Sequence, residues 1–248
     1  MAEGTKLFMP SGATWVERAA MGELKAVISP TASDRGNDFH HAVHVFAATA
    51  ALRTFPHAKT IVDFGCGTGR FVRFFGSRGL NVVGTDITFD MLSEVRRLGL
   101  PSNASVLHTD GVSLPMPDRS IDIIWCCGVL RYSRLVSQSV YEQIAREMYR
   151  VLKPGGAVIN LEMYVDSTPE VFTNGFEKAG FVTQDLRVLK RYDGFLEDCL
   201  KSSLWPRTFV NIAGRFWGAL HYWFDSPHRA TAGLRDYLFF WTKPSGKN

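Results

Sequence analysis

The residues with the clearest chemical potential lie in one stretch, Ile61-Val62-Asp63-Phe64-Gly65-Cys66-Gly67-Thr68-Gly69-Arg70-Phe71. A β-branched run, three alternating glycines and an apolar helical start read as strand, tight turn and helix. Glycine is needed where the backbone takes unusual dihedrals or comes close to a ligand, and the first turn of the following helix leaves N–H groups free for a carboxylate. The stretch is therefore a cradle for an anion or cofactor. Its spacing, with Arg at position 70, departs from the dinucleotide pattern G-x-G-x-x-G. Two further acids end strand-like runs: Asp86 after LNVVGT, at about the 20-residue offset at which a carboxylate meets ribose hydroxyls, and Asp110, followed by Gly111, after ASVLHT. Taken singly, each acid is more commonly a turn residue.

Proton-transfer candidates precede the loop. His40, His41 and His44 fall in a helical pattern in which His40 and His44 share a face and His41 points about a quarter-turn away. Because imidazole titrates near neutrality, His41 and His44 are the first candidates for a general base, although packing is the commoner role for such residues. The spacing also suits a pair of metal ligands, but no carboxylate or Cys completes the set, so no metal is expected. Cys66, Cys126, Cys127 and Cys199 form no C-x-x-C pair and no disulfide framework, which fits a reducing, cytoplasmic setting. Tyr149 and Lys153 have the Tyr-x-x-x-Lys spacing of short-chain dehydrogenases, but Pro-Gly-Gly follows at once. Tyr149 is read as helix packing and Lys153 as a cation at a helix C-terminus.

These residues must be positioned by a regular alternation of strands and helices. Strands are expected at 60–65, 80–86, 104–110, 121–127 and 156–163, with helical segments between them, which predicts an α/β fold with a mostly parallel sheet. Two more, at 181–189 and 237–243, bring the sheet to seven strands. Residues 11–28 and 37–55 read as helices, the second stopped by Pro56. The 248 residues suit a single domain: an N-terminal helical cap (1–58), a cofactor-binding core (59–189), an aromatic helical insertion (190–234), and a closing strand and tail (235–248). No apolar run is long enough for a membrane span. From Arg187 onward 10 basic residues face 5 acidic ones, a local excess too sparse for the basic stripe of a nucleic-acid binder.

Four motifs in order, IVDFGCGTGRF, the acids Asp86 and Asp110, LPMPDRSIDIIWCCGVLRY and AREMYRVLKPGGAVIN, resemble class I (Rossmann-like) methyltransferases over about residues 60–163. The resemblance implies S-adenosylmethionine as cofactor, with S-adenosylhomocysteine as product. It assigns Asp63 and the loop Gly65, Cys66, Gly67 and Gly69 to the methionine end, Asp86 to ribose, and Asp110, Gly111 and the neighbouring Ile87 to adenine. Cys127, at the end of the fourth strand, also falls in the cofactor's surroundings. By fold analogy, Arg131 and Tyr132 would face the acceptor. The Pro-Cys pair of cytosine C5 methyltransferases and the Asn/Asp-Pro-Pro-aromatic motif of base amino-methyltransferases are both absent.

Residues 207–224 carry an apolar stripe of Phe209, Ile212, Ala213, Phe216, Trp217, Leu220, Trp223 and Phe224. Packing on the sheet or on a second subunit, as in a homodimer, is the first reading. A lid in which Phe216 and Trp217 line an apolar acceptor site comes second, and peripheral contact with a bilayer third. The expected function is methyl transfer, with O-methylation favoured, to a small molecule that is aromatic, lipid-like or a sugar. Methylation of RNA or protein, or a non-catalytic cofactor-binding partner subunit, are the alternatives.

Overall fold

The computed structural model describes residues 15–132, 137–165, 169–191, 199, 204–225 and 235–246. The start of the expected 11–28 helix, much of the 190–234 insertion and the last two residues lie outside that set. The strands are β1 (Thr60–Phe64), β2 (Asn81–Asp86), β3 (Ala104–His108), β4 (Ile121–Cys127), β5 (Leu152–Val165), β6 (Val182–Arg191) and β7 (Arg235–Thr242). They form one sheet in the order β3-β2-β1-β4-β5-β7-β6. β7 runs antiparallel between β5 and β6, and the other pairings are parallel. The expected seven-stranded, mostly parallel α/β fold is the one found.

The helices are α1 (Trp15–Ala19), α2 (Glu23–Val27), α3 (Asp34–Thr54), α4 (Arg70–Gly76), α5 (Phe89–Leu98), α6 (Gln138–Val151), α7 (Glu170–Lys178) and α8 (Arg207–Phe224). Alternation along the strands splits the core into two layers. Ile61, Trp125, Ile159 and Phe240 pack with α3, α4 and α5 on one face, while Val62, Ile124, Val158 and Trp241 pack with α6 and α7 on the other. Strands buried on both faces explain why the central runs are continuously apolar. The side chain of Ser33 caps α3 by accepting from the Gly36 N–H at 3.0 Å, and Ser137 does the same for α6.

Several boundaries differ from the sequence reading. The single helix expected over 11–28 is two short helices in its described part, broken at Gly22, whose φ of 90° no helix accommodates. β3 ends at His108 rather than 110, because Asp110 turns the chain by accepting from the Val112 N–H at 3.0 Å. β5 starts at Leu152, four residues early: the Gly155 N–H donates to the Lys243 carbonyl and the Lys243 N–H to the Gly156 carbonyl, so the Pro-Gly-Gly segment joins the sheet edge-on to the end of β7. Lys153 consequently leaves the helix end and pairs with Asp122 at 2.7 Å. Tyr149 packs edge-on against Phe181, as a helix-packing residue should.

Candidate functional site

The C-terminal ends of β1, β2 and β3 bring Asp63, the glycine loop, Asp86 and the Asp110-Gly111 turn together, at the end of an open α/β sheet where ligands bind. Gly65, Gly67 and Gly69 all have positive φ. At Gly67 (φ 53°) a Cβ would stand 2.4 Å from Cγ1 of Val27, so α2 closes over the loop. The Thr68 hydroxyl donates to the Glu23 carbonyl at 3.1 Å, and Arg73 pairs with the Glu23 carboxylate, fixing the same contact. Gly67→Ala should therefore cost the left-handed penalty of about 1–2 kcal/mol plus the clash, and Val27→Ala in the same chain should return the clash part. Urea melts of the two single variants and the double variant check this; equal losses in the presence and absence of Val27 would refute the contact.

Asp86 is nearly buried, and burial raises its pKa. Its Oδ2 accepts from the Gly67 N–H at 2.9 Å and its Oδ1 from the Thr88 N–H at 2.8 Å. A carboxylate offers about four acceptor positions, more than these two N–H groups fill, which suits it to ribose hydroxyls. Ile87, 57% exposed, lies beside it, and the Ile87 carbonyl is bonded to His108 Nε2 at 2.9 Å. Gly111 (φ 79°) could not carry a Cβ, which would meet Cζ of Phe64 at 2.4 Å. Asp63 is buried, and its Oδ2 has no hydrogen-bond partner. Burial pushes its carboxyl up to about 7, the Arg70 guanidinium opposing the shift. A buried, unsatisfied acid oxygen beside a glycine cradle is a fitting partner for an ammonium group. These features fit the cofactor that the resemblance implies.

The two histidines are held differently from a free base. Arg70, the first residue of α4, sets Nη1 3.2 Å from Nδ1 of His41 and 3.1 Å from Nδ1 of His44, and its Nη2 donates to Cys127 Sγ at 3.2 Å. A guanidinium only donates, so both Nδ1 atoms accept and both rings are neutral. Burial and then the Arg70 charge lower His41 to about 3 and His44 well below its ordinary value. Such rings are poor bases, and this environment argues against the expected catalytic role. His40 instead approaches Lys190 at 3.2 Å. Cys66 is buried beside Gly84, and burial keeps Cys66 and Cys126 as thiols and pushes Cys127 up to about 12, so none is a nucleophile.

The acceptor side holds residues the sequence reading passed over. Glu162 in β5 is fully buried: its Oε2 accepts from the Arg131 N–H at 3.2 Å, while Oε1 has no partner. Burial pushes it up to about 8, against the pull of the Arg131 charge. Asn160, two residues earlier, is buried, and its side chain faces Glu162 and opposes the rise. A single acid in the apolar run GAVINLEM was the available signal. Arg131 donates to the Met163 carbonyl at 2.8 Å, and Tyr132 packs edge-on against Trp15. Trp217 packs into the core layer beside α3, whereas Phe216 is 68% exposed and faces solvent instead of an enclosed site. Among the described residues no cluster of metal-ligating side chains forms. Two open clefts, near Thr173 and Asp185 and near Asn81 and Asn103, lie away from these strand ends.

Residues 62–160 match the methyltransferase domain family. A 2-methyl-6-phytyl-1,4-hydroquinone methyltransferase of Synechocystis is 30% identical over 138 residues, 55% of this chain and 42% of that protein. A malonyl-[acyl-carrier protein] O-methyltransferase of Marinomonas is 27% identical over 196 residues, 75% of this chain and 65% of that one. A ubiquinone/menaquinone biosynthesis C-methyltransferase of Citrobacter koseri is 35% identical over 112 residues, covering 42% of each. The chain thus spans about half the length of the curated relatives it matches. In fold it is similar to an S-adenosylmethionine-dependent methyltransferase from Archaeoglobus fulgidus (TM-score 0.54, 16% identity, covering 80% of this chain and 94% of that one) and to the [4+2]-cyclase SpnF (TM-score 0.56, 20% identity, covering 82% and 81%).

Proposed function

From the match of residues 62–160 to the methyltransferase domain family, we propose that this chain is a class I methyltransferase that transfers a methyl group from S-adenosylmethionine to a hydroxylated small molecule. The observation that carries the reading is the convergence of an unsatisfied buried Asp63 oxygen, the capped glycine loop and Asp86 at adjacent strand ends. The sulfonium of the cofactor supplies an electrophilic methyl carbon. The protein's own work is to bind and orient. Asp63 and the close backbone approach that the glycine loop permits take the amino-acid end, Asp86 takes ribose hydroxyls, and Ile87, Asp110 and Gly111 border the base.

Methylation of a hydroxyl oxygen, or of a ring carbon activated by a hydroxyl, releases one proton. Glu162 is better suited than His41 or His44 to receive it, because one of its oxygens is unsatisfied and, with a pKa of about 8, its ionised form is both populated near pH 8 and more basic than those rings. The relatives support a small-molecule acceptor, since their names include quinone-ring C-methylation and O-methylation of a malonyl carrier; O-methylation remains the favoured outcome for this chain. Arg131 and Tyr132, beside Glu162, are the proposed acceptor contacts.

Calorimetric titration with S-adenosylmethionine and S-adenosylhomocysteine, with a nicotinamide dinucleotide as control, tests the cofactor half of the reading. Binding of both ligands near micromolar, on the order of −8 kcal/mol, and none of the control is expected. Absence of binding to either ligand would overturn it.

A further inference from the structure

The aromatic helix α8 meets the rest of the protein through its small side. Val210, Gly214, Gly218 and Tyr222 are buried, and a Cβ on Gly214 would stand 2.6 Å from the Phe39 carbonyl oxygen, so α8 and α3 touch almost backbone to backbone. That close approach turns the bulky residues outward. Phe209, Ile212, Phe216, Leu220, Trp223 and Phe224 are all exposed, with Phe216 at 68% and Trp223 at 67%. Their spacing of three and four residues draws one ridge along a helix about 27 Å long. Of the readings of this stripe, packing on the sheet and lining the acceptor site do not hold for these exposed residues, because the glycine face packs more closely than the aromatic face could; a second subunit and a bilayer are the readings left. A contiguous exposed apolar ridge marks an interaction surface.

The surrounding charge says what kind. α8 contains Arg207 and Arg215 and no Asp or Glu. Arg215 lies near enough to Arg78 for the two charges to oppose one another, and it also acts on His41. Among the described residues neither Arg78 nor Arg215 has a carboxylate partner: nearby Asp38 is taken by Arg35 and Arg207, and Asp225 pairs with His221. Trp205 and Trp223 stand near the two ends of the ridge, and an indole favours the boundary between apolar and wet surroundings. A second copy is the weaker occupant. Two-fold pairing about the middle of the ridge would bring one Arg215 toward another with no acid on either helix to offset them. No helix among the described residues is long and apolar enough to cross a membrane, so contact would be along the surface.

We propose that α8 docks on an anionic phospholipid surface, its aromatic ridge lying among the acyl chains and Arg78 and Arg215 at the phosphates. Co-sedimentation of the whole chain with phosphatidylcholine vesicles, with and without about one-third phosphatidylglycerol, tests this. Stronger partition onto the anionic vesicles is expected, with a loss of roughly tenfold for Phe216→Ser with Trp223→Ser. Arg215→Glu should lose about fivefold on the anionic vesicles alone. All of these positions are exposed, so thermal melts should match those of the unaltered chain. No partition onto anionic vesicles, or partition indifferent to the ridge substitutions, would overturn the proposal. So would a dimer in sedimentation equilibrium that the same substitutions dissociate, which would assign the ridge to a second copy.

Discussion

Asp86→Ala is expected to weaken S-adenosylhomocysteine binding by about tenfold to a hundredfold, because a hydrogen bond to a charged acceptor contributes roughly 1.5–3 kcal/mol and a ribose offers two hydroxyls. The carboxylate also holds the Gly67 and Thr88 N–H groups, so its removal should lower the melting temperature as well as the affinity. Asp86→Asn separates the two effects: an amide oxygen can still accept from one N–H, while the charge is gone. Calorimetry on both variants, with melts in the absence of ligand, reads the outcome. Unchanged affinity in Asp86→Ala would remove the ribose assignment even if the variant were less stable.

Glu162→Gln is expected to flatten the pH dependence of folding stability between pH 7 and 8. The folded-state pKa of Glu162 is raised from its ordinary 4.5 to about 8, so the native form keeps a proton that the unfolded chain has already lost. Its contribution is fully present below about pH 4.5 and declines toward pH 8, with a slope of about 1.4 kcal/mol per pH unit. Asp63, raised from 3.8 to about 7, acts in the same direction but is already half titrated at pH 7 and nearly fully by pH 8. The slope between pH 7 and 8 therefore belongs mainly to Glu162. Glutamine retains an acceptor for the Arg131 N–H and cannot ionise. Urea melts at pH 5, 7 and 8 give the comparison, and equal slopes from pH 7 to 8 in both proteins would show that Glu162 is not a buried titrating acid.

The histidines show how local residue chemistry can mislead. His41 and His44 lie just before the glycine loop with the right side-chain type for a base, yet Arg70, noted in the sequence only for interrupting a dinucleotide spacing, binds both rings. The fold itself also carries limited functional information. One structural neighbour is a methyltransferase and another a [4+2]-cyclase, so the acceptor chemistry must be argued from residues such as Glu162 and Arg131.

Short-range periodicity and backbone chemistry encode the seven strands, the mostly parallel sheet, and the glycine loop with its acids at or just past the ends of successive strands. Those features depend on neighbours in the chain, on alternation and on positive-φ turns, so they are legible there. Which way ambiguous residues face is set by packing between distant segments. The apolar stripe of α8 was open to the sheet, a second subunit, the acceptor or a bilayer until Gly214 and Gly218 packed against α3 and turned Phe216 and Trp223 outward. Arg70 met histidines on α3, Val27 covered Gly67, and Glu162 accepted the Arg131 N–H. Each of those relations joins segments far apart in sequence, and the burial that sets a carboxyl near 8 or an imidazole near 3 exists only once the layers have closed.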